Sequence, residues 1–440
     1  MSRSGGGIAA GTAALCALLL PLPLLLFSLS GTATASPRLD DAPADAASYK
    51  PADGAEPVTG TESSADGPEL ERAKIYSDTI GPGQKKYYRV RLDDTSNAFI
   101  STVVAPPPGT KSGILDGIQV SLTSAKGTPC SSNPSVYFGG DTTRPLAGYA
   151  SRRIGGDSSQ CQDAGDYLYT VSWAGSQTAG AAKWPIELTY MAEPGLKPGA
   201  DEPEAPTGWS SKAPTPSSGT PQKVSGGTGF NDAAAIGDGT WRDDLEPGDS
   251  RFYRVPVAWG QQLFLRAQLA NTTSDSSVFA VNGLRLALYN TARGLVADKS
   301  TGYRGAPAGT DLGTAPAAYA NRFASGAEAE SAMRFQGWYY VQVTLDPKVS
   351  GSVPMTLNVS LQGEAQPGPP YDGDAAAAGF GLDGAGPGGG GADPTMRTIG
   401  FAGIGAGTVL VLGLGAWQLA SRRRRPADGG DAGTDAAYSR

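Results

Sequence analysis

The sequence predicts an all-β protein with two tandem antiparallel β-sandwich or jelly-roll domains plus a single C-terminal transmembrane helix. Three observations lead to this expectation. Many short segments alternate apolar and polar residues with period two, which is the pattern of half-buried strands. These segments recur in the same order in both halves of the 440-residue chain. A long uncharged apolar run lies near the C-terminus, and four arginines follow it directly.

The repeat begins with a block that both halves share. Ile80–Leu92 matches Leu245–Val257, because both contain a Pro-Gly turn, an aromatic pair and Arg-Val. Further blocks pair in the same order: Phe99–Val104 with Leu263–Leu269, Gly117–Leu122 with Gly283–Leu288, Tyr149–Arg152 with Tyr319–Arg322, Gly165–Trp173 with Gly337–Leu345, and Pro185–Tyr190 with Pro354–Val359. We therefore expect an internal duplication.

The blocks themselves have the pattern of strands. Ile118, Val120 and Leu122 point to one side of their segment, and the polar residues between them point to the other. Turns rich in Gly, Pro, Asn and Asp separate the segments. Several short alternating strands bounded by such turns favour an antiparallel sandwich or jelly roll.

Changes in composition along the chain mark the expected boundaries. Stretches rich in Ala, Asp and Pro, in Pro, Ser and Thr, or in Gly are typical of linkers. The predicted segments are a signal peptide (1–35), a disordered linker (36–67), a first sandwich repeat (68–193), a linker that separates the sandwiches (194–229), a second repeat (230–363), a Gly-rich stalk (364–396), a transmembrane helix (397–421) and a cytoplasmic tail (422–440).

Both ends of the chain indicate export and membrane anchoring. Arg3, an apolar run and the small residues Ala33 and Ala35 predict a signal peptide that is cleaved after Ala35; a retained signal anchor is the alternative. The uncharged run Ile399–Ala420 rises about 33 Å as a helix, enough to cross a hydrocarbon core.

Basic residues set the orientation of this predicted helix. Arg422, Arg423, Arg424 and Arg425 follow it at once, and such clusters stay on the cytoplasmic side. We expect a single-pass type I protein in the cell membrane whose N-terminal domains are extracytoplasmic.

Cysteine usage is consistent with export. Cys130 and Cys161 remain after removal of the signal peptide, and two cysteines in one exported domain most simply form a disulfide. A reactive thiol pair is the alternative, but the two cysteines lack the CxxC spacing.

The order of the blocks resembles the bacterial pre-peptidase C-terminal domain. Tyr88-Arg-Val90 and Tyr253-Arg-Val255 match its opening strand, Gly117–Leu122 its central strand, and Gly165–Val171 with Gly337–Val343 its late strand. The two repeats are longer than the usual domain of that family, and no peptidase domain accompanies them. The resemblance implies a non-catalytic binding or packing module, and calcium or extracellular polymers as ligands in some relatives.

Several kinds of chemistry are excluded by residue types. The chain has no histidine, which removes Ser-His-Asp and Cys-His catalysis and His-ligated zinc. It has no GxxxxGK[ST] loop and no dinucleotide fingerprint on a strand-helix turn. Its formal net charge of -7 disfavours nucleic acid. We expect no enzymatic activity and no cofactor except a candidate calcium ion.

Acidic residues before the second repeat are the candidate calcium ligands. Asp238, Asp243 and Asp244 cluster beside Trp241, and carboxylates together with backbone carbonyls bind calcium. A solvated turn is the alternative, since Asp is common in turns. A carboxylate pair for glycoside hydrolysis is a further alternative.

Aromatic residues on the strands are the candidate binding surface. Tyr88 and Tyr253 lie on the opening strands, and Trp338 and Tyr340 on a late strand. Adjacent residues of a strand face opposite sides, so one of each aromatic pair is core and the other is available to sugars or a partner protein. The alternative is that these residues cover the second sheet.

The sequence as a whole predicts a non-catalytic cell-surface binding or accessory protein. Its partner would be an envelope protein or a cell-wall polymer, and its transmembrane helix would hold it in the membrane. Two other functions stay open: a surface carbohydrate hydrolase that uses Asp and Glu, and a calcium-stiffened structural spacer.

Overall fold

The computed structural model describes residues 46–131, 135–140, 143–155, 160–175, 182–215, 219–272, 279–324 and 328–382. The predicted signal peptide, transmembrane helix and tail lie outside these residues. Within the described residues, no helix has the length and apolar character needed to cross a membrane. All described residues belong to one compact unit of the chain.

The first repeat forms strands that correspond to the predicted blocks. In chain order they are β1 (Glu56–Pro57), β2 (Glu69–Leu70), β3 (Ile75–Ile80), β4 (Lys85–Leu92), β5 (Asn97–Val104), β6 (Gly117–Ser124), β7 (Ser135–Tyr137), β8 (Leu146–Arg152), β9 (Gly165–Ala174) and β10 (Trp184–Glu193).

The second repeat forms an equivalent set. Its strands are β11 (Gln222–Lys223), β12 (Ala234–Ala235), β13 (Gly239–Leu245), β14 (Ser250–Val257), β15 (Gln262–Leu269), β16 (Ala280–Tyr289), β17 (Leu295–Tyr303), β18 (Ala308–Gly313), β19 (Gly337–Leu345) and β20 (Val353–Gln362). A 3₁₀ helix (Tyr319–Phe323) and a short α-helix, α1 (Glu328–Ala332), lie between β18 and β19. The predicted match of Tyr149–Arg152 with Tyr319–Arg322 was therefore wrong: the first lies in β8, whose counterpart by sheet order is β18, and the second lies in the 3₁₀ helix.

The strands form four five-stranded sheets with matching topology. In the first repeat, sheet 1a has the order β1-β3-β10-β5-β8 and sheet 1b the order β2-β4-β9-β6-β7. In the second repeat, sheet 2a has the order β11-β13-β20-β15-β18 and sheet 2b the order β12-β14-β19-β16-β17. Each strand of the first repeat corresponds to the strand of the second repeat whose number is higher by ten, so the two repeats have the same strand order. The all-β class and the internal duplication are therefore confirmed.

Each pair of sheets encloses its own apolar core. Ile100 and Leu188 of sheet 1a pack in one cluster with Val120 and Tyr169 of sheet 1b. The second repeat has the same arrangement, which brings together Leu265 and Leu357 of sheet 2a and Leu286 and Val341 of sheet 2b. Each repeat is thus a sandwich whose alternating residues point inward, as the period-two pattern requires.

The two sandwiches also pack against each other, face to face. Val103 and Ala147 on the outer side of sheet 1a form one buried cluster with Phe252 and Tyr340 on the outer side of sheet 2b. Because sheet 1a is covered on both sides, every residue of β5 is buried. Its sequence, Asn-Ala-Phe-Ile-Ser-Thr-Val-Val, accordingly has apolar residues at both parities.

A buried ion pair joins the two sandwiches within this contact. Arg293, in the turn after β16, donates to the Glu187 carboxylate of β10, and both side chains are 4% exposed. The same carboxylate accepts bonds from Tyr49 Oη (3.0 Å) and the Ala52 amide (2.7 Å). Asn231 donates to it at 3.0 Å. The charge is therefore fully partnered, as a buried carboxylate must be.

The segment 36–67 was expected to be disordered, and its described part, residues 46–67, is ordered against the sandwiches. Tyr49 lies edge-on to Phe252 and binds Glu187. Ala52 is buried, and β1 pairs in parallel with β3. The contacts of Tyr49 and Ala52 and the pairing of β1 therefore order a segment whose polar composition predicted disorder.

The segment 194–229 was expected to hold the sandwiches apart, but the sandwiches are in contact and much of this segment packs on them. Leu196 bridges to Tyr371, and β11 extends sheet 2a by parallel pairing with β13. The middle of the segment, around Trp209, is exposed. The connection therefore passes over the surface of the paired sandwiches.

The described part of the predicted stalk, residues 364–382, is also packed. The Tyr371 hydroxyl donates to Glu193 at 2.6 Å. Phe380 is buried between Phe99 of the first sandwich and Phe335 of the second, with ring centroids 5.9 and 5.0 Å away. This C-terminal segment (364–382) therefore contacts both sandwiches, which its Gly-rich composition did not predict.

We expect Glu187→Ala to lower the free energy of unfolding by about 3–5 kcal/mol, because it leaves the Arg293 guanidinium buried without a counter-charge. Urea denaturation of the purified chain measures this value. The matched control is Glu56→Ala, which breaks an exposed pair with Lys74 and should leave the free energy of unfolding nearly unchanged. Equal losses for the two variants would contradict a specific role of the buried pair.

Candidate binding surface

Two of the four predicted surface aromatics lie in the cores. Tyr88 and Tyr253 have no exposed area, so their assignment to a binding surface was wrong. They lie on the same side of β4 and β14 as the inward-facing residues, whereas their neighbours Tyr87 and Phe252 face outward. Tyr88 lies two residues before Val90 and four before Leu92, and this spacing was the signal that could have placed Tyr88 on the inward side of the strand.

Each buried tyrosine belongs to a duplicated hydrogen-bonded group. Tyr88 donates to Asp78 at 2.7 Å, and the Gly60 amide donates to the same carboxylate oxygen at 2.8 Å. A Cβ on Gly60 would lie 2.5 Å from the Tyr88 ring, so this position requires glycine. Burial, then the negative charge of Asp78, raises the pKa of Tyr88. The second repeat has the same group, formed by Tyr253, Asp243 and Gly226.

The three candidate calcium ligands do not converge. Asp243 is buried, and it accepts bonds from Tyr253, the Gly226 amide and the Asp244 amide. Asp238 and Asp244 are exposed, and Asp244 faces away from Asp243 because the two are neighbours on β13. Among the described residues, no group of three or more Cys, Asp or Glu side chains is arranged to hold a metal ion.

The other two predicted aromatics face outward but are covered within the chain. Trp338 and Tyr340 project from sheet 2b into the contact with the first sandwich. Arg254 lies over the Trp338 ring at 4.7 Å, and Phe230 packs edge-on to Tyr340. Tyr340 is therefore buried in the contact between the sandwiches, and Trp338 packs against the same cluster and is half-buried.

The predicted disulfide is confirmed. Cys130 and Cys161 are bonded, with their Cα atoms 5.5 Å apart. Both pack against the core of the first sandwich. The bond links the turn after β6 to the segment that leads into β9.

The outer side of sheet 1b carries an uncovered basic and aromatic row on β4. Every outward residue of this strand belongs to it: Lys85, Tyr87, Arg89 and Arg91. We call this row the basic face. Lys85 and Arg91 are exposed, Tyr87 and Arg89 are half-buried, and the Lys85 ammonium lies 5.0 Å from the centroid of the Tyr87 ring. Sequence reasoning missed the row, although its alternation with Tyr88, Val90 and Leu92 is visible.

Polar, uncharged side chains lie beside the Lys85 and Tyr87 end of the basic face on the same sheet. The register places Thr170 of β9 beside Tyr87, and Ser172 beside Lys85. Ser121 of β6 follows Thr170 across the sheet. Thr170 is buried, but Ser121 and Ser172 are half-buried. Because a hydroxyl group both donates and accepts hydrogen bonds, these two serines suit a hydroxyl-rich ligand.

The equivalent row of the second repeat differs in composition and in environment. On β14 the outward residues are Ser250, Phe252, Arg254 and Pro256, and Phe252 has no exposed area because the first sandwich covers this face. One face of the duplicated fold is therefore covered in repeat 2 and open in repeat 1. The open copy has three cations, whereas the covered copy has one.

An open groove of about 560 Å³ lies at the end of the basic face. Arg91 belongs to both, and the groove also contains Leu70, Arg72, Asp93 and Tyr190. Arg72 donates to Asp93. The groove thus combines an apolar floor with charged groups at its rim.

The electrostatic environment of Asp93 favours its charged form. Burial alone would raise its pKa, but hydrogen bonds from the Ser96 amide (2.7 Å), Arg72 and the Thr95 amide (3.1 Å) lower that pKa well below its usual range. Asp93 is therefore a stable anion that holds Arg72 in place.

Comparisons with known proteins give similarity in structure only. No protein-family model and no curated protein matches the chain. Among solved structures, the ANX1 ectodomain of Arabidopsis thaliana is 11% identical, with 67% of this chain and 86% of that chain covered and a TM-score of 0.19. The tandem CBM22 domains of Paenibacillus barcinonensis Xyn10C are 9% identical, with coverages of 66% and 93% and a TM-score of 0.19. These values assign no family to the chain.

We expect Asp78→Ala to destabilise the protein more than Asp243→Ala. Both substitutions leave a buried tyrosine hydroxyl and a glycine amide unpaired, at about 1–3 kcal/mol for each group. Asp78 also neutralises the buried Lys86 ammonium at 2.6 Å, so its loss adds the cost of an uncompensated charge. Urea unfolding measures both variants, with exposed Asp244→Ala as a near-neutral control. A larger loss for Asp243→Ala would contradict this ranking.

The lowered pKa of Asp93 predicts acid sensitivity. Because the unfolded chain binds this proton more tightly, with a pKa of about 3.9, stability from this carboxylate is present above that pH and is lost as the pH falls towards the folded pKa. We expect Asp93→Asn to reduce the dependence of the unfolding free energy on pH below about 4. An identical acid profile in wild type and variant would contradict the assignment.

Proposed function

We propose that this chain is a non-catalytic cell-surface binding or accessory protein that contacts a wall polymer or an envelope protein through its basic face. The observation that carries the proposal is the contrast between repeats. The same sheet face packs against the first sandwich in repeat 2 and has one cation on β14, but in repeat 1 it is open and has three cations and a tyrosine on β4.

The proposed location is the cell membrane, with both sandwiches extracytoplasmic and Ile399–Ala420 as the anchor. The apolar run, the four arginines after it and the N-terminal signal sequence support this location. The disulfide supports it too, since such bonds persist in oxidising compartments. Tethering would raise the effective concentration of the basic face towards partners at the same surface.

A surface hydrolase has less support from the carboxylates of the groove. Each of these carboxylates is paired with a cation. The Glu69 carboxylate lies 3.8 Å from the Arg89 guanidinium, and that of Glu71 lies 3.2 Å from the Lys74 ammonium. Asp93 accepts a hydrogen bond from Arg72. A general acid needs a raised pKa, whereas that of Asp93 is lowered.

Burial raises the pKa of another carboxyl group, Glu193, but this residue is enclosed. Tyr371 and Asn97 donate to it at 2.6 and 2.8 Å, and its exposed fraction is 1%. A substrate would have no access to it. A calcium-stiffened spacer also has less support, because Asp238, Asp243 and Asp244 are not brought together.

The resemblance to the pre-peptidase C-terminal domain fits this proposal, because that resemblance implies a binding or packing module. Of the two partner classes, a polymer suits the basic face better. Its four outward positions form a straight row on a single strand.

Binding to insoluble envelope material tests the proposal. We expect the triple variant Lys85→Glu, Arg89→Glu, Arg91→Glu to lose at least about tenfold in affinity in a co-sedimentation assay, because three attractive charges become repulsive. The matched control reverses Arg242 and Arg266, two exposed arginines of sheet 2a, and should bind as wild type does. Equal binding by wild type and the triple variant would refute the role of the basic face.

A further inference from the structure

We propose that the ligand of the basic face is an acidic polysaccharide whose carboxylate-bearing sugars lie along β4. This inference rests on the proposed function and specifies its ligand class. Three properties of the face lead to it: the spacing of its side chains, its local charge and the position of its aromatic ring.

The spacing indicates an extended ligand. Residues that alternate on a strand are about 6.6–6.8 Å apart, so the row from Lys85 to Arg91 is about 20 Å long. This length accommodates several sugar units in a line. A compact ligand would contact only part of the row.

The local charge indicates an anionic ligand. The chain has a formal net charge of -7, yet Lys85, Arg89 and Arg91 occupy three of the four outward positions on β4. A planar guanidinium can bind a carboxylate through two parallel hydrogen bonds. Arg91 is exposed and has no ion pair within the described residues, so it is available to do so.

The aromatic ring indicates that the ligand contains sugars. Tyr87 lies between the cations, and its ring is half-buried. An aromatic ring offers an apolar surface with a polar hydroxyl at its tip, which suits a sugar ring with C–H groups on one face and hydroxyls at its edge. Ser172, next to Lys85 on the neighbouring strand, is half-buried and offers a hydroxyl to the same ligand.

Two acidic residues border the row and would compete with the ligand. Glu69 lies 3.8 Å from Arg89, with 49% of its side chain exposed. Asp166 is opposite Arg91 in the register of β4 and β9. The exposed Glu69–Arg89 pair is weak, so a ligand carboxylate can replace Glu69. Removing Glu69 should therefore strengthen binding.

A second copy of the chain fits the face less well. The free outer side of sheet 2a has mixed charges, with Arg242 and Arg266 beside Asp244 and Asp311. This surface lacks the anionic excess that would complement the basic face.

Titration calorimetry of the full-length protein with sodium polygalacturonate tests the inference. We expect binding that weakens as salt is added and that fully methyl-esterified polygalacturonate does not reproduce. Arg91→Ala should weaken affinity about tenfold or more, whereas Glu69→Gln should strengthen it severalfold. Because Glu69→Gln improves binding, it separates a direct effect from a loss of folding. Arg266→Ala on sheet 2a is the matched control and should change nothing.

Inorganic polyphosphate distinguishes a sugar ligand from a purely ionic one. We expect Tyr87→Ala to weaken polygalacturonate binding, because it removes the apolar surface under the sugar, and to leave polyphosphate binding unchanged. If Tyr87→Ala affects neither polymer, or if polyphosphate binds more tightly than polygalacturonate, the acidic-polysaccharide assignment is overturned.

Two further outcomes separate this inference from the proposed function. If the triple charge-reversal variant loses envelope binding but wild type does not bind polygalacturonate at low salt, the function stands and the ligand class is wrong. If sedimentation shows a dimer that Arg91→Glu dissociates, the face is an interface between copies, and the inference is overturned.

Discussion

The buried charge of Glu187 constrains how the two sandwiches are joined. A carboxylate that is 4% exposed is tolerated only where all its partners are in place. Here Tyr49 and Ala52 come from the N-terminal segment, and Asn231 and Arg293 come from the second repeat. Apolar clusters around Val103 and Phe99 also pack across the contact, but apolar packing is not directional. The charged group tolerates no displacement of its partners, so it fixes the relative position of the two repeats.

This fixed contact determines which surfaces are left for function. It covers much of the outer sides of sheets 1a and 2b, where it buries Tyr340 and half-buries Trp338. The basic face on sheet 1b points away from the contact and stays open. Because the N-terminal and C-terminal segments both pack across the junction, through Tyr49 and Phe380, the basic face belongs to one body formed by both sandwiches.

Period-two alternation was sufficient to predict the strands, the duplication and the all-β class, because each strand has one face in a core. It did not predict the contact between sandwiches, although the apolar residues at both parities of β5 are a signal of burial on two sides. Adjacent aromatics such as Tyr87 and Tyr88 were assigned to the wrong sides, because the parity of the following residues was not applied to them. The packing of the segments around Tyr49, Tyr371 and Phe380 depends on single anchoring residues, and composition averages such residues away.

The contact between the repeats is heterologous: the outer side of sheet 1a meets a face of the second repeat that corresponds to sheet 1b, not to sheet 1a. Repeated addition of copies through a heterologous contact generates a ring where the rotation closes and an open filament where it does not. The outer faces at the two ends of the stack are charged and do not match this apolar contact. Sheet 1b has Lys85, Arg89 and Arg91 on its outer face, and sheet 2a has Arg242 and Arg266. These hydrophilic ends act like the capping repeats of a solenoid. Gene duplication has thus produced a stack of defined length, and the cap at one end is the surface that we assign to recognition.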